Sequence, residues 1–561
     1  MEVGTEFLDI SLAKRAVKEY CSVSVLPYFV ERSDKGIFIV RCPKARDGKY
    51  CPFRIHIARK RSGAFHVKRH VKHDEYCIVE PKLNQLLTVT EARILLSKEE
   101  DVAARDLVSS IKKKYAVDTP YKTAWRALAI AKHQYAVEDG KSFQRISGYL
   151  AAVKRENPGT FAGAERTDEG EFLRAFACLA ASINAIQFAR PILFIDRFQI
   201  KSSFGGTLVG ATTQDGTGET IPIAIGLCPI DNEANWTWFL EKIFMALPEL
   251  NRGHVTVLHD RRDGLSRAIQ GVLPLTHEAI CCNGLENELK NISKKCIPLF
   301  WKAAKVFNPA SFTEEMQRIG EISPEAYEFL VKSKPILWST AMASVSRFGI
   351  VTGTAAESRN SWYKEFRGIG HLRILMRFVE KVGTGQVKGS ARMKDELDRV
   401  TRNTMSIFKE NLAKGSLLQL TSFSEDAFIV ADNALSQATV GLDRVVKLNQ
   451  KTCSCGEFQI MSFPCIHAAT AIQFRGDDPT LYMHETYRVN YLKNVYSVKV
   501  VPIDLYTDSG PCDGMKPPKN DIRKLAKKKT SQATTTTMTA KSITCSRCGS
   551  TGHNSRTCTA N

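Results

Sequence analysis

Two kinds of side chain in this sequence could do chemistry: thiols grouped with imidazoles, and carboxylates that end predicted strands. Nine of the sixteen cysteines fall into three clusters that each include histidine. Thiolates and imidazoles at such spacings are the ligands of closed, tetrahedral zinc sites, so about three structural zinc sites are expected. The predicted ligands are Cys42, Cys51, His73 and Cys77; Cys453, Cys455, Cys465 and His467; and Cys545, Cys548, His553 and Cys558.

The two C-terminal clusters have the sharper spacing. Residues 545–558 follow C-x2-C-x4-H-x4-C, and two glycines there let the backbone turn tightly around a metal. This is the pattern of CCHC zinc knuckles, which bind single-stranded nucleic acid or protein partners. Residues 453–467 pair C-x-C with C-x-H and resemble the SWIM zinc finger. That spacing suits a strand followed by a helix that starts near His467.

The N-terminal cluster leaves one ligand open between three histidines. Cys42 and Cys51 lie among segments of alternating polarity, which predict strands. His73 is the predicted third ligand, with His70 and His66 as alternatives. The alternative to a zinc site is a small β-module with free thiols.

Two predicted strands end on an aspartate, at Asp196 in PILFID and at Asp260 in HVTVLHD. If these strands are parallel neighbours, the two carboxylates can share two divalent ions, about 3.5–4 Å apart, for phosphodiester cleavage. Oxygen ligands favour magnesium or manganese. Glu357, at the predicted start of a helix, is the candidate third acid. Four loop acids are the alternatives, namely Asp215, Asp231, Glu233 and Asp263.

The elements around these acids predict an α/β fold. Three strands within residues 190–230 are followed by alternating helices and strands, which indicates a sheet covered by helices. Residues 298–350 predict further helices. Because no run of about 18 apolar residues is present, neither a transmembrane helix nor a membrane partner is expected.

The charge balance indicates an anionic partner. The net charge is +20, and nucleic acid is the commonest anionic partner of such proteins inside cells. A helix is predicted to start at Pro120, with Asp118 or Thr119 as its cap. With the turn before it, this helix resembles the second helix of a DNA-binding helix-turn-helix; the alternative is a helical hairpin with a solvated basic face. Its predicted DNA-binding residues are Lys122, Arg126 and Lys132.

The run from FIDRFQIKSSFGGTLVGATTQD through VTVLHDRRDGLSRAIQ resembles the Mutator-like (MULE) transposase domain, as do GYLAAVKRENPGT upstream and AAESRN downstream. The order of a zinc module, this domain, a SWIM finger and a zinc knuckle also resembles that family. The resemblance implies an RNase H-like catalytic core with a helical insertion. It also implies an Asp-Asp-Glu triad, which falls on Asp196, Asp260 and Glu357.

Two positions depart from the family pattern. The family has Asp-Gly-Thr at the first acid, whereas Asp196 is followed by Arg197. The family also has Cys-x-x-His after the second acid, whereas Cys281 is followed by Cys-Asn-Gly. His277, just upstream, is the candidate substitute. All three acids are present, so catalysis is expected.

The predicted domains follow from these segments. They are a zinc-binding β-module at 30–85, a helical DNA-binding region at 86–165, the MULE domain at 185–385, the SWIM region at 428–475, a basic linker at 507–542 and the zinc knuckle at 543–561. The linker is rich in Pro, Lys, Ser and Thr and is expected to be disordered.

The predicted function is a DDE-type DNA transposase that acts in the nucleus and associates with itself on DNA. It would bind terminal inverted repeats in double-stranded DNA and cut and join the strands. The zinc knuckle would bind single-stranded nucleic acid. The alternative is a domesticated, transposase-derived transcription regulator that binds DNA without catalysis. A zinc-knuckle RNA-binding protein would explain only the tail.

Overall fold

The computed structural model describes most of the chain, and every element below lies within those residues. The described ranges are 2–23, 28–43, 51–73, 85–98, 102–115, 117–262, 264–353, 366, 368–431, 443–504 and 513–519. The predicted zinc ligand Cys77, the predicted third acid Glu357 and the alternative acid Asp263 lie outside these ranges, as does the whole of the predicted zinc knuckle.

An antiparallel sheet with one helix forms the N-terminal module. Its strands, in the order β1-β5-β4-β3-β2, are β1 Glu6–Phe7, β2 Phe29–Ser33, β3 Ile37–Arg41, β4 Arg54–Arg59 and β5 Phe65–Val71. Helix α1, Ile10–Val23, covers one face, where alternate apolar strand residues such as Val40, Ile55 and Val67 are buried. The opposite face carries the polar residues of the same strands, as alternation requires.

Three helices form a small bundle with its own core. They are α2 Gln85–Lys98, α3 Ala104–Tyr115 and α4 Tyr121–Ser142. The predicted side-chain cap of α4 is wrong, because Pro120 itself occupies the N-cap position and no side chain bonds there. Asp118 instead pairs with Lys112 at 2.8 Å, and Thr119 is buried.

A seven-stranded sheet forms the centre, in the order β12-β11-β8-β9-β10-β7-β6. Strands β8, β9 and β10 are antiparallel, while β11 runs parallel to β8 and β12 parallel to β11. The elements here are α5 Ile146–Glu156, β6 Phe161–Arg166, β7 Phe172–Cys178, α6 Ala180–Ile186, β8 Ile192–Gln199, β9 Thr207–Gln214, β10 Thr220–Cys228, α7 Glu233–Ala246, β11 Thr256–His259, α8 Leu265–Val272 and β12 His277–Ile280.

Further helices follow the sheet along the chain. They are α9 Cys282–Ile292, α10 Ile297–Lys305, α11 Pro309–Ile322, α12 Pro324–Lys332, α13 Pro335–Trp338, α14 His371–Met393 and α15 Arg402–Gly415. Helices α9–α13 enclose a core of their own around the buried Trp338. Helices α7 and α8 cover one face of the sheet, where Leu193 and Val257 are buried, and α14 covers the other, where Phe198 is buried.

A four-stranded antiparallel sheet and three short helices complete the described chain. They are β13 Gln419–Ser422, β14 Ala427–Ala431, β15 Arg444–Lys447, β16 Thr452–Cys453, α16 Glu457–Met461, α17 Ile466–Arg475 and α18 Val489–Val495. The predicted α/β class is confirmed in its coarse form, as a mixture of helices and sheets. Among the described helices, none is both long and apolar enough to cross a bilayer.

Two predicted boundaries differ from the structure. Strand β8 does not stop at Asp196 but continues to Gln199, because its pairing with β9 extends from Phe194 to Gln199. The linker predicted to begin at residue 507 includes residues packed on the folded chain. Met515 is 1% exposed, and the backbone of Lys516 exchanges hydrogen bonds with the loop around Gly170.

Candidate active site and zinc centres

The structure brings Asp196 and Asp260 side by side on one face of the central sheet. In the parallel pairing of β8 with β11, His259 lies opposite Ile195. Each acid is the next residue, so the two occupy matching positions on strands that lie about 4.8 Å apart. The acids are thus brought together by strand register, although β9, β10 and α7 separate them in sequence.

The two acids differ in their exposure to solvent. The Asp260 side chain is 46% exposed and lies 3.6 Å from the guanidinium of Arg262. Asp196 is half-buried, and its cross-strand neighbour on β9 is Gly210, which has no side chain to cover it. The residues before the acids on the same face are apolar and buried, which fixes the orientation of the row. They are Ile192, Phe194 and Leu258.

Cys281 extends this row on the third parallel strand. It follows Ile280, which lies opposite His259, and its backbone N–H donates to the His259 carbonyl at 2.9 Å. Burial is the main cause that raises the pKa of the Cys281 thiol, and the nearby carboxylates of Asp260 and Asp196 raise it further. We call Asp196, Asp260 and Cys281 the acid row.

The chain returns to the acid row shortly before the third predicted acid. The backbone N–H of Gly353 donates to the Cys281 sulfur at 3.2 Å. A Cβ at Gly353 would lie 3.4 Å from a methyl of Leu258, so the backbone packs closely there. Glu357 itself is outside the described residues. The described backbone therefore reaches the row four residues before Glu357.

A buried hydrogen-bond network contacts the backbone of Asp260, and the sequence analysis did not predict it. The His259 ring lies 2.6 Å (Nδ1) from the backbone oxygen of Asp260 and 3.1 Å (Nε2) from the Glu278 carboxylate. Ser266 also donates to Glu278, at 2.5 Å. Although burial tends to raise the pKa of Glu278, the hydrogen bonds from His259 and Ser266 hold it below its ordinary value. Strand register brings His259 and Glu278 together and the packing of α8 adds Ser266, so no sequence motif could have indicated them.

Neither Arg197 nor the candidate substitute His277 points toward the acid row. Arg197 pairs with Asp231 at 3.1 Å, and as the residue next to Asp196 on a strand its side chain points to the opposite face. His277 starts β12 opposite Thr256, at the other end of the strand from the acids. Its ring bonds the Gly253 carbonyl at 2.9 Å, so His277 does not replace the missing histidine.

The alternative acids that the structure describes have other partners. Asp215 is buried and accepts hydrogen bonds from Thr217 and from the hydroxyl of Tyr496, both at 2.7 Å. Glu233 pairs with Arg267, and Asp231 pairs with Arg197. These three acids are therefore structural or surface groups.

The four SWIM ligands converge on one point. The ligand atoms of Cys453, Cys455, Cys465 and His467 all lie within 4.8 Å of one another. The Nδ1 atom of His467 lies 3.7 Å from the Cys453 sulfur and 3.8 Å from the Cys465 sulfur, close to the roughly 3.6 Å between ligands of a tetrahedral zinc ion.

Local structure explains this convergence. Cys453 ends β16, and Cys465 caps α17 by accepting a hydrogen bond from the Ala468 N–H. His467 lies in the first turn, as the strand-then-helix prediction required. Hydrogen bonding to Cys455 raises the pKa of the Cys453 thiol to about 12, because clustered thiols resist ionisation together. A zinc ion would remove that penalty.

The N-terminal cluster is also assembled, as far as the structure describes it. The ligand atoms of Cys42, Cys51 and His73 lie within 4.8 Å of one another, and the His73 ring lies 3.5 Å from the Cys51 sulfur. The alternatives point elsewhere: His66 bonds a backbone carbonyl of β4, and His70 packs edge-on against a tyrosine ring. Among the three histidines, the structure therefore selects His73.

The three predicted DNA-binding residues are all exposed on α4, namely Lys122, Arg126 and Lys132. Within the described ranges, none of them pairs with a carboxylate. Their charge is therefore available to an anionic partner.

Models of known protein families match the segments that contain the two acids and the SWIM ligands. The MULE transposase domain matches residues 192–287, which include both acids of the row. The SWIM zinc finger matches residues 437–476, which include all four converging ligands, and a MuDR family transposase model matches residues 1–66. No curated protein matches the chain.

These matches confirm the resemblance seen in the sequence. The chain contains a MULE transposase domain with a SWIM zinc finger, preceded by a MuDR-type DNA-binding segment. DNA binding of the transposase type and zinc binding are therefore supported.

Proposed function

We propose that this protein is a DDE-type DNA transposase that binds terminal inverted repeats and cuts and joins DNA strands. The observation that carries the proposal is the matched register of Asp196 and Asp260 on parallel strands. The sheet order also supports an RNase H-like core, because two parallel strands are added beside the first strand of an antiparallel meander. Helices α9–α13 would form the insertion before Glu357.

Asp196, Asp260 and Glu357 would hold two magnesium or manganese ions. The donor set fits such ions, because the two described acids supply oxygen ligands from adjacent strands and Asp260 is open to solvent. When bound, these ions activate the attacking hydroxyl and stabilise the leaving oxygen of a phosphodiester. The role of β8 and β11 is to hold the two carboxylates at matching positions.

The position of Gly353 is compatible with Glu357 as the third acid. Four residues span at most about 14 Å when fully extended. Because Gly353 is bonded to Cys281 in the row, the chain from Gly353 is long enough for Glu357 to serve as the third acid. Cys281 would then act as a positioning residue for the backbone that leads to Glu357.

DNA would be held outside the catalytic sheet. The MuDR-type segment and the basic helix α4 would bind duplex DNA, mainly through phosphates, so that binding weakens as salt rises. The predicted zinc knuckle would add contacts to single strands. Action on chromosomal DNA places the protein in the nucleus, and pairing of two element ends requires self-association.

One observation favours the regulator as a second candidate. The Cys-x-x-His histidine is absent, and His277 lies at the wrong end of β12 to replace it. A chain that had lost a residue needed for cleavage would still bind DNA through its N-terminal modules.

A nicking assay separates the two functions. Full-length protein is mixed with duplexes that carry the terminal repeats, in magnesium or manganese, and strand cleavage is followed on denaturing gels. Wild type is expected to nick, and Asp196→Asn is expected not to. Asp231→Asn is the matched control, because Asp231 pairs with Arg197 on the opposite face of the sheet. Binding of the repeats without nicking in either metal would favour the regulator.

A further inference from the structure

Helix α4 presents two large aromatic side chains to solvent. Tyr121 is 63% exposed and Trp125 is 59% exposed, although the adjacent side of the same helix is packed in the bundle core. Within the described chain, neither ring contacts another aromatic ring and neither side chain makes a hydrogen bond. Exposure of a large aromatic ring is unfavourable in water, so two in one stretch of helix indicate a surface that binds a partner.

Helical geometry aligns these rings with a cation. At about 100° and 1.5 Å per residue, Trp125 is about 40° and 6 Å from Tyr121. Lys132 is about 20° from Tyr121 and about 16 Å along the axis. Lys122 and Arg126 flank the two rings on one side. We call these five residues the α4 stripe.

The charges around the α4 stripe make it electropositive. The nearest acid in sequence, Asp118, is already paired with Lys112 of α3. Glu138, further along α4, pairs with Arg93 of α2. No carboxylate of the described residues therefore neutralises the cations of the stripe, which leaves it complementary to a polyanion.

We propose that the α4 stripe binds in a groove of duplex DNA, with Tyr121 and Trp125 against the base edges and the three cations against the flanking phosphates. The positive charge favours DNA over an apolar protein surface, and the major groove of DNA is wide enough to admit an α-helix. Apolar side chains there contact bases, whereas lysine and arginine contacts to phosphate carry no sequence information. This inference rests on the proposed DNA-binding function and assigns the residues that contact bases.

The salt dependence of binding distinguishes the two kinds of contact. A phosphate contact releases counterions, so Arg126→Ala should weaken binding and lower the slope of log affinity against log salt by about one. An aromatic contact releases none. Trp125→Ala should therefore weaken binding by about tenfold at every salt concentration and leave the slope unchanged. Because both side chains are exposed, neither variant removes core packing.

The experiment uses full-length protein and fluorescently labelled DNA that carries the terminal repeat, as duplex and as single strand. Trp125→Phe should retain most of the affinity because it keeps an aromatic ring. Phe474→Ala is the matched control, since Phe474 is 64% exposed on α17, outside the stripe. Its affinity should equal that of wild type, and circular dichroism should match for all variants.

Each outcome has a definite meaning. If Trp125→Ala binds duplex as tightly as wild type at every salt concentration, the α4 stripe does not contact bases and the inference is wrong. If Trp125→Ala affects only the single-stranded probe, the assignment to a duplex groove is wrong. If wild type itself binds no duplex at any salt concentration, the proposed DNA binding fails, which is a different result from failure of the stripe alone.

Discussion

The SWIM cluster and the acid row gather their ligands in opposite ways. All four SWIM ligands lie between residues 453 and 467, at the end of one strand, in the turn that follows it and at the start of one helix. The two acids of the row come from strands separated by β9, β10 and α7, and only the parallel register of the sheet joins them. The SWIM ligands are largely buried, whereas Asp260 is half exposed.

This difference follows from the chemistry of each site. A structural zinc site is closed by thiolate and imidazole, so it needs no access and can be built from a local segment. The proposed DNA-cutting site must keep oxygen ligands accessible to a substrate, so its acids lie at the surface of a rigid sheet and not in the core. Loss of a ligand should therefore unfold the first site and leave the second folded but inactive.

Removal of a SWIM ligand should give the largest effect. Cys465→Ser removes a thiolate and weakens the cap of α17, and structural zinc contributes roughly 10–16 kcal/mol to the folding of small zinc modules. We expect the variant to lose one of about three zinc ions per chain. Its amides at residues 443–475 should exchange rapidly with deuterium, while those of β8 and β11 remain protected.

The control is a buried cysteine outside the clusters. Cys178→Ser, in β7, should keep the zinc content of wild type. If Cys465→Ser retained its zinc and its protection, the SWIM cluster would not be a closed metal site and the contrast with the acid row would disappear.

The acid row should show the reverse pattern. Asp260→Asn replaces a carboxylate by an amide, which is a poor ligand for a hard divalent cation. A loss of about 4 kcal/mol of transition-state stabilisation corresponds to a roughly thousandfold slower cleavage. Metal-free DNA binding should be unchanged or slightly tighter, because a carboxylate repels phosphate. The measurements are single-turnover nicking and a thermal melting curve.

The melting temperature serves as the internal control for Asp260→Asn, since the exposed side chain contributes little packing. If the variant cuts as fast as wild type, Asp260 is not a catalytic ligand, and Asp263 becomes the next residue to replace.

Sequence spacing is sufficient to predict a zinc site whose ligands lie in one short segment, but it is insufficient to predict the acid row, whose residues lie on separate strands. The four SWIM ligands and the start of the helix near His467 follow from one short motif, so the sequence predicted them. The sequence alone does not predict that β8 pairs in parallel with β11, so the metal site of Asp196 and Asp260 depends on an assumed pairing. Strand order is set by packing between residues that are far apart in the chain. Cys281 belongs to the Cys-x-x-His signature of the family, but its position beside the acids, like the network of His259 and Glu278, follows only from the strand register.

Asp139 is a carboxylate in buried surroundings and so contrasts with the exposed carboxylate of Asp260. It lies near the end of α4 and packs against Gly370 at the start of α14. Burial is the main cause that raises the pKa of Asp139 to about 6. A raised pKa means that the folded state binds a proton that the unfolded state has lost.

The consequence is a stability that falls as pH rises. The favourable term is fully present below pH 3.8, the ordinary value, and is lost as pH rises through about 6. The shift corresponds to roughly 3 kcal/mol as an upper limit. Asp139→Asn should therefore stabilise the protein at pH 7.5 and flatten the slope of unfolding free energy between pH 4 and 6, as measured by urea denaturation. The exposed Asp168→Asn is the control and should leave that slope unchanged; an unchanged slope in Asp139→Asn would show that Asp139 ionises normally.

The smallest effect on the cleavage rate is expected from replacing Cys281, which is a thiol that lies beside the two acids of the row. Its sulfur accepts the Gly353 N–H, so Cys281→Ala leaves a buried N–H without its acceptor, at a cost of about 1–3 kcal/mol. If Gly353 positions the backbone that leads to Glu357, part of that cost should appear as a cleavage rate slower by about tenfold, with DNA affinity unchanged. Cys281→Ser should restore much of the rate because a hydroxyl also accepts a hydrogen bond. Cys178→Ala, buried in β7, should lose stability without a change in rate. The contrary result would be that Cys281→Ala cuts as fast as wild type and loses as much stability as Cys178→Ala. That result would show that Cys281 serves only the packing of β12 and has no role in cleavage.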